Sequence, residues 1–258
     1  MPKTHSRLGQ VLRQGWVMGF RDYKLIGLGS RLGRVWPTIG LALRVIFIGS
    51  VFGLILDSSR GDYLPWLATG WASWFMISSF VNRGGMAFDS SRRIMLATPM
   101  IHESYVIRVA TKEVMVFLQN LVVVFGVILV YRVPVTFAFL LIVPGLFISV
   151  VFLTGLGMIL GPLVSKHKDV GQLVSSIMSV MFFVLPIVWR PESIKGEAAG
   201  FITGLNPLYH YLQIVRLPLL SEVPTTINYS VAVLGAFVAL SLGALVMNKV
   251  RDKLVYWT

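Results

Sequence analysis

Histidine, acidic and nucleophilic side chains would have to carry any catalysis by this chain, and their placement is poor for it. The four histidines stand at positions 5, 102, 167 and 210, and no two share a motif. The 11 acidic residues lie outside the apolar runs or at their ends, so no carboxylate pair or metal cluster suggests itself. Cysteine is absent, which removes thiol nucleophiles, Cys-ligated metals and disulfides. No Gly-x-x-x-x-Gly-Lys-Ser/Thr string occurs, so the chain shows no nucleotide site of its own. A proton-coupled carrier needs an acid or histidine within a span, and none is evident. Transport work by this chain would draw its energy from another polypeptide.

The remaining chemistry belongs to cations and aromatic rings. Arg44 sits inside an apolar run, about 13 Å past Val35 along a helix. Charge at that depth is a functional hypothesis, and Arg44 is expected to face a polar conduit, the alternative being bonds to backbone carbonyls or polar side chains of a neighbouring span. Glu113, at the start of another run, is expected to pair with Lys112 or Arg108. Trp36, Phe47 and Phe52 share the run with Arg44; Phe182, Phe183 and Trp189 gather in a later one; Trp66, Trp71, Trp74 and Phe75 crowd a third. Singly such rings read as packing or interfacial belts. Together they would let sugar rings slide without tight bonds.

The elements that position these residues follow from hydropathy. Of 258 residues 55% are hydrophobic and 13% charged, about half the charge of an ordinary soluble domain, so lipid is the expected solvent. Six segments have the length and low charge of a membrane span: 35–56, 63–81, 114–131, 134–164, 170–189 and 228–247. Residues 134–164 carry no charge over 31 positions and contain Pro144-Gly145, which reads as one tilted or kinked span. The first run follows 34 residues and is longer than a signal sequence, so it is expected to stay in the protein.

Charge gives the orientation. The segments before the first span, at 82–113, at 165–169 and after the last span hold 17 Lys and Arg, and the alternate loops hold five. Both termini are therefore expected in the cytoplasm. The formal charge of +12 is topology, and nucleic acid is a poor partner.

Residues 6–24 alternate as an interfacial helix, with Leu8, Leu12, Trp16, Phe20 and Tyr23 on one face and Arg7, Arg13, Arg21 and Lys24 on the other. The 82–113 loop is expected to carry a short surface helix around Arg92 and Arg93. The turn Lys166-His167-Lys168-Asp169 needs polar residues whatever its role. On the outer side, Asn206 is a candidate N-cap with Pro207 at the first helical position. Leu208, Tyr211, Leu212, Val215 and Leu219 give an apolar face, and Pro218 is expected to end this short amphipathic or re-entrant helix.

The strings "LGRVWPTIG" (32–40), "YLPWLATGWASWFMISS" (63–79), "NPLYHYLQIVR" (206–216) and the terminal "VYWT", in this order of elements, resemble the Wzm-type permease of type-2 ABC exporters. The resemblance implies an all-α integral membrane protein of the inner membrane. It would have an interfacial segment at 1–34 and a six-span permease domain at 35–258, with outer gate helices between the last two spans. It implies a channel between two copies, formed mainly by the first and fifth spans and including Trp36, Arg44, Phe47, Phe52, Phe182, Phe183 and Trp189. It implies two copies of a separate ATPase, which would hold ATP and Mg while this chain holds no cofactor. That ATPase would meet the chain at Arg13, Arg21, Lys24, Lys166, His167, Lys168 and Asp169. The substrate would be a polysaccharide on undecaprenyl pyrophosphate, with Arg31, Arg34, Arg92 and Arg93 meeting the pyrophosphate. Asn206, Pro207, Tyr209 and Tyr211 would belong to the outer gate. Arg34 departs from the small residue or proline common in relatives. Capsule, teichoic-acid and galactan exporters look similar. Export of a small drug or lipid, and a membrane glycosyltransferase or phosphatase, are the competing readings.

Overall fold

The computed structural model describes residues 6–55, 60–97, 100–191, 200 and 203–257, and among them there are helices and turns but no strand. Helix α1 spans Arg7–Lys24, with the Ser6 hydroxyl accepting from the Gly9 amide as N-cap. A 3₁₀ turn at Gly33–Val35 leads into α2, Trp36–Ile55. Helix α3 spans Arg60–Gly85, α4 Arg92–Ala97 and α5 Glu103–Val130. A second 3₁₀ turn, Phe137–Leu141, precedes α6, Ile142–Lys166, and α7 follows at Lys168–Val184. Helix α8 spans Pro207–Leu219, α9 Thr226–Val250 and α10 Leu254–Trp257.

Among the described residues, four stretches are long and apolar enough to cross a bilayer: Gly33–Gly53, Glu103–Val130, Phe137–Lys166 and Thr226–Val250. Helix α3 has the length but is diluted by polar residues, and α7 has 17 residues. Helices cover all six expected segments with shifted ends, and four of them qualify as spans. Most of the 82–113 loop is helical: α3 runs through Gly85 and α5 begins at Glu103, leaving α4 as the expected short helix between them. The 134–164 run is one candidate span, Phe137–Lys166, as expected, but Pro144 is not where its geometry changes. The change from 3₁₀ to α geometry comes at Ile142, and Pro144 falls in the first turn of α6, where a missing N–H costs no helical bond.

Helix α3 is the axis of the bundle, touching α2, α5, α6, α7 and α8. Its Leu67, Ala68, Ile77 and Phe80 are fully buried against Phe117 and Val124 of α5 and Leu153 of α6. Helices α6 and α9 pack closely along their length. A Cβ on Gly155 would come within 2.4 Å of the Ala239 carbonyl carbon, and one on Gly243 within 2.6 Å of the Gly155 oxygen. Bundles in lipid gain their cohesion from such small-residue contacts, because lipid offers apolar side chains as good a solvent as the protein does.

Helix α1 lies along the first half of α5, but on a different face from either of the two foreseen. Val11, Gly15 and Gly19 are buried against Ile107, Arg108 and Thr111. The Leu8, Leu12 and Trp16 side chains are 68%, 48% and 51% exposed, and Leu12 and Trp16 border an apolar groove along α5, which suits a helix at headgroup level. Arg7 reaches Glu103 at 2.9 Å, Tyr23 donates to Gln119 at 2.8 Å, and Asp22 pairs with Arg108.

Candidate functional site: an aromatic and polar cleft over α3

The open side of the bundle lies between α2 and α7. Helix α7 buries one residue, Met178, and the outward residues of α2 include Arg44, Phe47 and Val51. Between these two helices α3 forms the floor of a cleft of about 480 Å³. The α3 residues on that floor, Trp71, Trp74, Phe75, Ser78, Ser79 and Asn82, recur at three- and four-residue spacing and so share one face. Arg44 comes from α2, and Ser175 and Phe182 from α7. Phe182 packs on Trp71 with ring centres 5.2 Å apart, and Phe183 stands edge-on to it at 5.1 Å. Asn82 donates to the Ser78 carbonyl at 2.9 Å. Rings, hydroxyls and an amide on one surface present flat apolar faces beside hydrogen-bonding groups, the combination that holds a carbohydrate by many weak contacts.

A second cleft of about 410 Å³ shares Arg44, Phe75 and Arg83 with the first and continues it past Trp36, Lys112 and Glu113. The Arg44 guanidinium lies 5.7 Å from the centre of the Phe75 ring. Glu113 is 3% exposed and its partner is Arg83, with Nε 3.2 Å from Oε1. The sequence pointed instead to Lys112 or Arg108. Lys112 lines the same cleft, but Arg108 is drawn away by Asp22 and by the Ser91 hydroxyl at 3.0 Å. The buried carboxylate is thus a site residue that sequence reading placed only at a helix end.

The other expected channel residues are less concentrated. Phe47 and Phe183 are exposed, Phe52 lies further along α2, and the Trp189 indole donates to the Phe183 carbonyl at 3.0 Å. Of the surface arginines, Arg31 and Arg34 are exposed in the turn before α2, with Arg34 5.9 Å from the Tyr23 ring. Arg92 and Arg93 open α4 and are also exposed.

On α1 and the turn between α6 and α7, Arg13, Arg21, Lys24, Lys166, His167, Lys168 and Asp169 are all exposed. Lys24 lies 4.6 Å from the Phe20 ring and Lys166 5.5 Å from the Trp257 ring. Lys168 donates to Asp89 at 2.7 Å. Asp89 and Ser91 share one 3₁₀ turn, Asp89–Ser91. Through Ser91, Arg108 and Asp22 that turn also reaches α1, so the two expected docking patches are joined by polar contacts.

At the opposite end, α8 starts as foreseen. The Asn206 Oδ1 accepts from the Leu208 amide at 3.0 Å, and Pro207 opens the helix. Pro218 does not end it, since the helix runs to Leu219 and closes at Leu220. Nor is it an amphipathic surface piece: residues 210–216 are buried in succession. The Tyr211 hydroxyl donates to the Ala232 carbonyl at 2.7 Å and its ring stacks on Phe152 at 4.0 Å. Burial pushes that hydroxyl well above the usual tyrosine range. Tyr209 accepts from Gln213 at 2.7 Å. Arg216 is wholly buried. It donates to the Pro186 carbonyl at 2.6 Å and to Gln213 Oε1 at 2.8 Å, and its guanidinium covers Trp66 at 3.6 Å. This clamp ties α8 to α3 and to the turn after α7. In the sequence Arg216 is simply one of five outer-loop cations.

Residues 13–220 match the family described as ABC-2 type transporter. An O-antigen export system permease protein of Klebsiella pneumoniae is 22% identical over 250 residues, covering 96% of both chains. A second Klebsiella pneumoniae protein with that description is 23% identical over 80% of each chain. One from Myxococcus xanthus is 21% identical over 73% of each.

Proposed function

The chain belongs to the ABC-2 type transporter family, and from that premise we propose that it is the membrane subunit of an ATP-driven exporter that passes lipid-linked, O-antigen-type polysaccharide across the inner membrane. Helices α3 and α7 complete a set of six spans, with both termini in the cytoplasm as the distribution of Lys and Arg directs. Two copies close the cleft over α3 into a channel, and Arg44, Trp36, Phe47, Phe52, Phe182, Phe183 and Trp189 line or flank it. Two copies of a partner ATPase dock on α1 and on the turn from Lys166 to Asp169, and ATP and Mg stay with that partner. Arg31, Arg34, Arg92 and Arg93 make the first contact with the pyrophosphate of the lipid carrier at the headgroup layer. Asn206, Pro207, Tyr209 and Tyr211 belong to the outer gate.

The observation that supports this reading best is the open cleft, where aromatic rings alternate with Ser78, Ser79, Asn82 and Ser175 on helices with little cover. A drug or lipid exporter would be served by an apolar path. The expected test is reconstitution with the partner ATPase, in which lipid-linked glycan raises ATP turnover. Arg44→Leu leaves that assembly intact and lowers export; normal export by this variant rejects the conduit role of Arg44.

A further inference from the structure

The cleft where Glu113 is buried carries more positive charge than its own residues neutralise. Arg44, Arg83 and Lys112 line it together with one carboxylate, Glu113, which leaves two positive charges in excess. The carboxylate is a poor partner as well. Although Arg83 Nε approaches Glu113 Oε1 to 3.2 Å, the alignment is not that of a hydrogen bond, and this buried oxygen accepts none among the described residues. Arg83 remains half exposed, at 54%, and the Arg44 guanidinium rests 5.7 Å from the Phe75 ring. Cations gathered at the edge of a membrane-spanning bundle call for an anion. Their arrangement, two guanidinium forks and one ammonium around about 410 Å³, suits a group with several acceptor oxygens.

We propose that Arg44, Arg83 and Lys112 form a seat for a diphosphate group, and that Glu113 is the built-in occupant which the ligand displaces from Arg83. The proposal rests on the export reading for the identity of its natural ligand, the diphosphate of the lipid carrier. It separates two steps: Arg31, Arg34, Arg92 and Arg93 meet the carrier at the surface, and the cleft holds its diphosphate beside the aromatic floor of α3. In the empty protein Glu113 keeps Arg83 from closing on chloride or on a singly charged headgroup. A ligand with more negative charge than one carboxylate wins the exchange.

The test uses the purified full chain in phosphatidylcholine nanodiscs, with inorganic pyrophosphate as the probe and binding followed by phosphorus NMR. Arg44→Gln combined with Lys112→Gln is expected to weaken binding by about tenfold or more, as loss of charge-assisted contacts does. Glu113→Gln keeps the shape, removes the competing charge, and is expected to tighten binding by roughly three- to tenfold. A Glu113→Gln protein that binds no more tightly than the wild type overturns the proposal. So does loss of binding on changing Arg31, Arg34, Arg92 and Arg93 to Gln while the Arg44/Lys112 variant keeps wild-type affinity. Adding phosphatidylglycerol to the discs separates the two sources of phosphate. The seat is expected to keep its pyrophosphate, and displacement by the lipid assigns the cations to ordinary headgroups and overturns the proposal. If the double variant fails to assemble, Glu113→Gln alone decides. No ATPase is present in this assay. A chain that exports glycan but shows no Glu113 effect loses this inference and keeps the function.

Discussion

Between α6 and α9 the backbones touch, whereas between α2 and α7 a cleft lies open over α3. In the first region Gly155 and Gly243 leave no room for a methyl group, and Gly145 would place a Cβ 2.1 Å from the Ile214 oxygen of α8. In the second, α7 buries one side chain and α2 turns Phe47 outward at 67% exposure. The contrast separates two tasks. The α6–α8–α9 block holds the subunit together by contacts complete within one chain. The α2–α7 side keeps its surface for something else to touch, and changes there should alter transport without unfolding the protein.

That division is open to direct attack. The largest effect is expected from Gly155→Val, whose added carbons meet the α9 backbone; a loss of more than about 3 kcal/mol is expected, seen as failure to recover monodisperse protein from detergent. A well-folded Gly155→Val protein breaks the comparison. Arg216→Met comes next. It leaves the Pro186 carbonyl and the Gln213 oxygen without their buried donor, at about 1–3 kcal/mol for each unsatisfied group, and thermal melting in detergent reads the loss. Arg216→Lys should recover only part of it, because a single ammonium cannot reproduce the fork and the stacked plane.

Phe47→Ala and Ser175→Ala should do the reverse. Each is expected to change melting by less than about 0.5 kcal/mol while reducing glycan export in reconstituted vesicles. A large drop in melting temperature for Phe47→Ala would mean that the open side carries stability after all.

The smallest effect concerns His102, at the turn before α5. Its pKa is held below the usual value by burial, with Arg251 adding to the shift and Glu103 and Asp252 opposing it. The folded protein therefore binds this proton less readily than the unfolded chain. Stability from His102 is complete above pH about 6.5 and declines as the pH falls through the window between that value and the lowered folded pKa. His102→Asn should flatten this part of the pH–melting curve.

What could be read from the sequence follows from what hydropathy and local caps record. The long apolar runs and the Asn206-Pro207 start of α8 depend on neighbours within a few residues, and they emerged nearly where expected. The ends of α3 and α5 did not, since polar residues find partners there, Asn82 on the Ser78 carbonyl of its own helix and Ser104 on Gln14 of α1, and can continue a helix past the apolar boundary. The cleft was half legible: Arg44 and the aromatic rings stand out, while the Ser78, Ser79 and Asn82 face needs the helical register of α3 to become visible. Arg216 was illegible. Its burial depends on Trp66 and Pro186, far away in sequence, and nothing beside it in the chain announces them. For α1 the outward apolar stripe was readable, but the docking face was not, because Gly15 and Gly19 act by lacking side chains.

That seat of α1 has a mechanical consequence. The helix lies close on α5 at Gly15, against the Ile107 side chain and the Ser104 carbonyl, and at Gly19, against the Arg108 carbonyl, and it is pinned near both ends, by Arg7 to Glu103 and by Asp22 to Arg108. With only the short Ile107 and Thr111 side chains packed against the two glycines and an ion pair near each end, the two helices are held from sliding or rolling separately. A force applied to the first would displace the root of the second by the same distance, so the pair behaves as a lever rather than a cushion.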